Sequence, residues 1–152
     1  MPNACREPGE VGRRHVGLII HRLFIEGVTA RNAQAYFKRT YHPDVTIHEA
    51  PSLPYGGEYH GLAGAAEHAL GFTRAWDGLQ TEEQRLMSPR IVATDSEAFV
   101  SWTLRAQPPG DTSMTEIPAI SHYRFHEGRI EARMCLFDTA AVRALLDPKK
   151  PS

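Results

Sequence analysis

The stretch that most constrains this chain is residues 116–138, EIPAISHYRFHEGRIEARMCLFD. Its first half concentrates aromatic and β-branched residues, its second half runs from Arg129 to Phe137, and Glu127-Gly128 separates the two. Glycine supplies the positive φ that a tight reversal requires. The pattern predicts two adjacent antiparallel strands. Whichever side chains they turn inward line any pocket the fold encloses.

The rest of the chain must supply the other layer. At 152 residues it is long enough for one domain with a real core. The net charge of −1 gives no bulk electrostatic reason to expect a nucleic-acid or anionic-membrane partner. Cys5 falls in a polar leader and Cys135 in an expected strand, so neither a disulfide framework nor a metal spacing is read from them. No segment approaches the roughly 18 apolar residues of a membrane span. The first residues lack the apolar heart of a signal peptide, so the expectation is a cytoplasmic protein. Residues 1–12 are expected to be a disordered leader, 13–147 the domain and 148–152 a polar tail.

From Arg13, Val16, Ile19, Ile20, Leu23 and Phe24 recur at helical spacing and Gly27 follows as a stop. Thr29 is placed to cap a second helix to about Arg39, with Ala33, Tyr36 and Phe37 on one stripe. His42-Pro43-Asp44 ends it, because proline disfavours helical geometry in the residue before it. Val45 to Glu49 reads as a strand with Val45, Ile47 and Glu49 on one face, Thr46 and His48 on the other. A carboxylate thus either shares the apolar face or ends the strand by turning to water. The prolines and glycines of residues 50–61 mark a shaped loop, a plain turn or a pocket mouth, with Tyr55 and Tyr59 as its aromatic surface.

A third helix follows with Leu62, Ala65, Ala66, Ala69, Leu70, Thr73 and Trp76 on one stripe. A strand is expected from about Gln80 to Thr94, broken near Ser88-Pro89, and another from Glu97 to Gln107 alternating Val100, Trp102 and Leu104. Pro108 to Asp111 is a turn, and Asp138-Thr139 caps a short last helix to Leu146. Helices segregated from a run of antiparallel strands indicate an α+β fold. A strongly bent sheet with helices across its concave face would make a cone-shaped barrel with an open mouth.

Ile120-Ser121-His122-Tyr123-Arg124-Phe125, then Gly128-Arg129-Ile130 and Leu136-Phe137, together with Asp44 to Glu49 and Gly61, resemble the nuclear transport factor 2-like superfamily. The likeness is to its ketosteroid isomerase and SnoaL-like polyketide cyclase branches. It implies a cone-shaped α+β barrel whose curved antiparallel sheet is covered by three N-terminal helices. It also implies a homodimer packed through the outer face of the sheet, near His48, His122 and Arg124.

The resemblance puts a general base at the end of the first strand, where Glu49 stands. An apolar site tunes such a carboxylate and fixes its distance to the C–H bond. Ketosteroid isomerases stabilise the oxyanion with a tyrosine and a protonated aspartic acid, and both are replaced here. Ser121 stands for the aspartic acid, and Ile20, or His21 with a slip of one, for the tyrosine. With Ser121 inward as the resemblance has it, strand parity sends Ala119, Tyr123 and Phe125 inward too, and the resemblance does the same for Arg133, Cys135 and Phe137. Arg133 either stabilises an oxyanion or pairs with Glu49.

The expected activity is therefore cofactor-independent isomerisation or cyclisation of a hydrophobic, carbonyl-bearing, polyketide- or terpenoid-like metabolite. Glu49, Ser121 and Arg133 are the candidate catalytic residues. Ile20, Tyr55, Tyr59, Trp76, Trp102, Tyr123, Cys135 and Phe137 are the candidate substrate contacts. Epoxide opening in the same pocket and a non-catalytic binding or dimerisation module are the alternatives. Cys135 reads as an inert buried thiol. No metal motif or phosphate-binding loop is present, and no metal or cofactor is implied.

Overall fold

The computed structural model describes residues 8–26, 33–79 and 89–146. In chain order the elements are α1 (Pro8–Glu26), α2 (Ala33–Thr40), β1 (Tyr41–Glu49), β2 (Gly57–His60), α3 (Gly61–Trp76), β3 (Arg90–Ala93), β4 (Glu97–Ala106), β5 (Thr115–His126), β6 (Arg129–Phe137) and α4 (Thr139–Leu146). The strands form one curved, unclosed sheet in the order β2-β1-β6-β5-β4-β3. The fold is α+β, and the helices pack on the sheet, α1 against β3 and β4, α3 against β1 and β2.

The central hairpin forms as its sequence predicts. β5 and β6 pair antiparallel from Ala119↔Phe137 to His126↔Arg129. Glu127 and Gly128 turn the chain with φ of 50° and 74°. Positive φ at both central residues matches the right-handed twist of the flanking strands, and only the second is a glycine. Ile117, Ala119, Ser121, Tyr123 and Phe125 are buried in strict alternation, as are Ala98, Val100, Trp102, Leu104 and Ala106 on β4.

One pairing has no local signal in the sequence. β1 runs parallel to β6, with Ile47 opposite Arg133. Val45, Ile47 and Glu49 all face the core, so the inward reading of Glu49 holds and the turn to water does not. β1 also pairs antiparallel with β2, a short strand inside the stretch read as a loop, which brings Tyr59 opposite Ile47. The loop before β2 closes tightly: a Cβ on Gly56 would lie 2.2 Å from the Ala50 carbonyl oxygen, so only glycine fits.

The helices depart from expectation in detail. α1 begins at Pro8, within the stretch expected to be a disordered leader, and carries Val16 and Ile20 into the core. The Thr29 cap, Gly27 and most of the strand expected from Gln80 lie outside the described residues; of that strand Arg90–Ala93 is described. On α3 the expected stripe is displaced. Ala66, Leu70 and Thr73 are exposed, whereas Gly64, Ala65, His68 and Trp76 are buried with Ala69, Phe72 and Ala75 packed beside them. The buried face follows Ala65, His68, Phe72 and Trp76 at helical spacing, and packing on β1 and β2 overrides the pull of Leu70. At the C-terminal end, Asp138 Oδ1 accepts the backbone N–H groups of Ala140 and Ala141 at 3.0 and 3.1 Å and caps α4. Among the described residues no helix is long and apolar enough to cross a membrane.

Candidate active site

Three elements converge on one buried polar group. β1 ends in Glu49, whose side chain is 2% exposed. The parallel neighbour β6 contributes Arg133, and α3, lying across β1, contributes His68. His68 Nε2 and Glu49 Oε1 are hydrogen-bonded at 2.8 Å. Arg133 Nη1 lies 3.5 Å from the same imidazole nitrogen and 3.8 Å from Glu49 Oε1. The two readings of Arg133 therefore meet: it is near enough to pair with Glu49, yet His68 makes the shorter contact.

Aromatic rings fix the imidazole. Tyr55 and Tyr59 meet His68 edge-on, with centroids at 6.3 and 5.2 Å, and Phe72 packs one turn further along α3. Tyr59 Oη donates to the Tyr55 carbonyl at 2.8 Å, and Trp76 Nε1 donates to Tyr55 Oη at 3.3 Å. The loop tyrosines and Trp76 therefore hold one another as well as His68. On the other side, Tyr123 stands opposite Arg133 across β5 and β6, its ring centroid 6.0 Å from the guanidinium carbon.

The electrostatics follow from this packing. Burial pushes the His68 pKa below its ordinary value, an effect the Glu49 hydrogen bond opposes and the Arg133 charge reinforces. His68 is neutral near pH 7. Burial also raises Tyr41 to about 12 and lifts Tyr55, Tyr59 and Tyr123 above the ordinary phenol value, so these hydroxyls keep their protons. Arg133 keeps its charge; burial works against it, and the acidic groups around it, Tyr123, Glu49, Tyr41 and Cys135, outweigh that. The Cys135 thiol is pushed up to about 11, chiefly by burial, which agrees with its reading as an inert thiol.

Glu49 Oε2, Tyr123 Oη and Arg133 Nε are buried without a hydrogen-bond partner among the described residues. Such groups are uncommon in folded proteins because an unmatched polar atom forfeits its hydration. Here a carboxylate oxygen, a guanidinium N–H and a phenol hydroxyl that can donate or accept are left over in one group of side chains. An arrangement of this kind can take a proton at Glu49 and donate two hydrogen bonds to an oxygen.

The other expected site residues are arranged differently. Trp102 Nε1 donates to Ser121 Oγ at 2.9 Å, and Ser121 in turn donates to Cys135 Sγ at 3.4 Å. The Ser121 proton is thus already engaged. Ile20 is fully buried on α1, its neighbour His21 is exposed, and Phe137 is partly buried at the end of β6. His122 lies on the outer face, bonded to Glu97 Oε1 at 3.0 Å and stacked on Phe99. Sequence reasoning missed His68 and Phe72. Their spacing from Ala65 and Trp76 was the available signal, obscured because a buried histidine adds nothing to an apolar stripe. It also missed a surface grouping of His42, His126 and Glu127 at the hairpin tip, whose ligand-type atoms lie within 4.8 Å of one another.

The SnoaL-like domain model matches residues 21–133. The chain belongs to the SnoaL-like domain family. The match begins within α1 and ends on Arg133, so it spans all three elements that build the buried group. No curated protein matches the chain. Among solved structures, this SnoaL-like domain is similar to TerC co-crystallised with polyporic acid, at 16% identity and a TM-score of 0.65 over 90% of this chain and 98% of that one. It is also similar to an NTF2-like protein from Burkholderia xenovorans LB400, at 12% identity and 0.65 over 91% and 98%. A third is a protein from Jannaschia sp. CCS1, provisionally described as a SnoaL-like polyketide cyclase, at 15% identity and 0.62 over 97% and 100%. At these identities the likeness is one of fold.

His68 also makes the fold sensitive to acid. Its folded pKa is depressed, so the unfolded chain binds a proton there as pH falls through about 6.5 while the folded chain resists it. Stability therefore declines on acidification from neutral pH. Thermal unfolding across that window should show the decline in the wild type and a shallower one in His68→Gln; equal slopes would contradict the assignment.

Proposed function

We propose that this SnoaL-like domain is an acid–base enzyme that isomerises or cyclises a hydrophobic, carbonyl-bearing small molecule in the cytoplasm by proton transfer. The observation that carries the reading is the buried Glu49–His68–Arg133 group with its unmatched acceptor and donors. Glu49 takes the proton beside the substrate carbonyl through Oε2, while the Oε1–His68 bond fixes the carboxylate's orientation. Arg133 Nε and the Tyr123 hydroxyl stabilise the oxyanion that develops. Ser121 acts through the Trp102–Ser121–Cys135 string by holding β5 beside Tyr123, since its own proton is committed. Tyr55, Tyr59, Phe72 and Trp76 form the apolar side of the site. The Jannaschia neighbour's description as a polyketide cyclase supports a polyketide-like substrate over a terpenoid-like one.

The test is a thermal-shift screen of polycyclic ketones, phenols and epoxides, followed by product analysis of every compound that stabilises the protein. The expected result is stabilisation by carbonyl compounds and conversion of at least one of them. Stabilisation without conversion of any compound would leave a binding module and contradict the enzyme.

The domain is also proposed to pair with a second copy through the outer face of the sheet. Val92, Phe99, His122 and Met134 form one cross-strand row, and Ser101, Ile120 and Leu136 the next. Val92, Phe99, Ile120, Met134 and Leu136 are all exposed, Leu136 by 60%. A contiguous apolar strip of this kind marks an interaction surface. Light scattering should give a dimer at micromolar concentration and a monomer for Leu136→Asp; a monomeric wild type would count against the pairing.

A further inference from the structure

A second convergence of polar side chains lies at the opposite end of β1 from Glu49. His42 stands near the start of β1, His126 ends β5, and Glu127 opens the turn into β6. His42 Nε2 lies 3.8 Å from Glu127 Oε2, and His126 Nε2 lies 3.6 Å from Glu127 Oε1. The two imidazoles meet edge-on with centroids 5.3 Å apart. Ligand-type atoms of all three side chains fall within 4.8 Å of one another, and among the described residues no other His, Cys, Asp and Glu side chains converge in this way.

Neither contact with the carboxylate is short enough for a hydrogen bond. The spacing suits a cation between the three groups. Zinc bonded at about 2.0–2.1 Å with tetrahedral angles sets its ligand atoms about 3.4 Å apart. His126 and Glu127 are both more than half exposed, so their side chains are free to make the small movements that close the set. Two imidazoles and a carboxylate suit a zinc-type d-block cation, whereas magnesium and calcium take oxygen ligands.

The backbone is shaped around this set. β1 shifts register against β6 between Tyr41 and Thr46, and β5 does so between Arg124 and Phe125. Such irregularities re-aim side chains. Glu127 holds φ at 50°, in a hairpin position that favours Asn, Asp or Gly, and its longer side chain is what reaches both imidazoles. His42 also has an orienting partner. The Asp44 backbone N–H donates to His42 Nδ1 at 3.1 Å, so the neutral ring carries its proton on Nε2. A cation at Nε2 moves that proton to Nδ1, where Asp44 Oδ2 at 3.9 Å is the acceptor. Metal-bound histidines are commonly held by a carboxylate in this way.

We propose that His42, His126 and Glu127 bind one zinc-type divalent cation, with the remaining coordination position open to water. The ion clamps the β5–β6 turn to the start of β1. Its ligands come from distant parts of the chain, so the site exists only in the folded protein and the metal stabilises that state. The same separation hides the site from a motif reading, which needs ligands at local spacing. The proposal is independent of the chemistry assigned to the Glu49 group.

The test is calorimetric titration of untagged, chelator-stripped protein with zinc chloride, with thermal unfolding followed in parallel. The wild type should bind one zinc per chain and melt about 5–10 °C higher at a hundredfold excess of zinc over Kd. Magnesium should do neither. His126→Gln and Glu127→Gln should each keep the metal-free melting temperature and weaken zinc binding at least about tenfold, the lower bound for losing even a supporting partner of a ligand. His60→Gln is the control. His48 and His60 also flank a carboxylate, Glu58, at 3.6 Å each, but that trio does not converge as the first does, and zinc affinity should be unchanged. No saturable zinc binding, unchanged affinity in either His126→Gln or Glu127→Gln, loss of binding in His60→Gln, or an equal effect of magnesium would overturn the inference.

Discussion

Glu49→Gln should lower turnover by about 10²–10⁴-fold, the range that a positioned general base contributes, while the protein stays folded and binds ligand. Gln keeps the shape of the side chain, and its amide oxygen can still accept from His68 Nε2 at the position of Oε1, 2.8 Å from the ring. What it loses is the capacity to take a proton at Oε2, the oxygen without a partner among the described residues. The expected signature is a fall in kcat with KM changed little, since the interaction removed belongs to the transition state. Turnover unchanged in this variant would remove Glu49 from the chemistry.

Arg133→Met should cost about 3 kcal/mol of stability, toward the lower end for breaking a buried pair. The size of the loss depends on which partner is left behind. Glu49 is nearly inaccessible, and Met fills the space of the arginine stem without its charge. His68 still donates to Glu49, which limits the loss. The double variant Glu49→Gln, Arg133→Met removes both charges and should recover most of the stability, a coupling that a double-mutant cycle in denaturant reads directly. Additive losses would mean that the two side chains do not sense each other, despite their 3.8 Å separation.

Much of this was legible in the sequence where period two applies. The alternation of Ala119, Ser121, Tyr123 and Phe125 put these four on one face of β5, and the same parity grouped Glu49 with Val45 and Ile47 while leaving open whether it enters the core or turns to water. The parallel contact of β1 with β6 was not legible. It joins strands separated by most of the chain, and no local preference encodes it. That contact is what brings Glu49 to Arg133. His68 escaped for another reason: α3 is rich in alanine, so one helical face is hardly more apolar than the next, and Leu70 drew the expected stripe onto the exposed side. The contact of Trp102 with Ser121 was not legible either, because it runs diagonally between neighbouring strands, and register decides it where composition does not.

The most direct test of the central claim, that this buried group moves protons on carbon, is solvent deuterium exchange followed by NMR. A cyclic ketone that stabilises the protein in the thermal-shift screen is incubated in D₂O with the wild type and with Glu49→Gln. The wild type should wash deuterium into the position beside the carbonyl well above the rate in buffer, and Glu49→Gln should return exchange to near that rate. Binding of the ketone with exchange no faster than in buffer would contradict the claim.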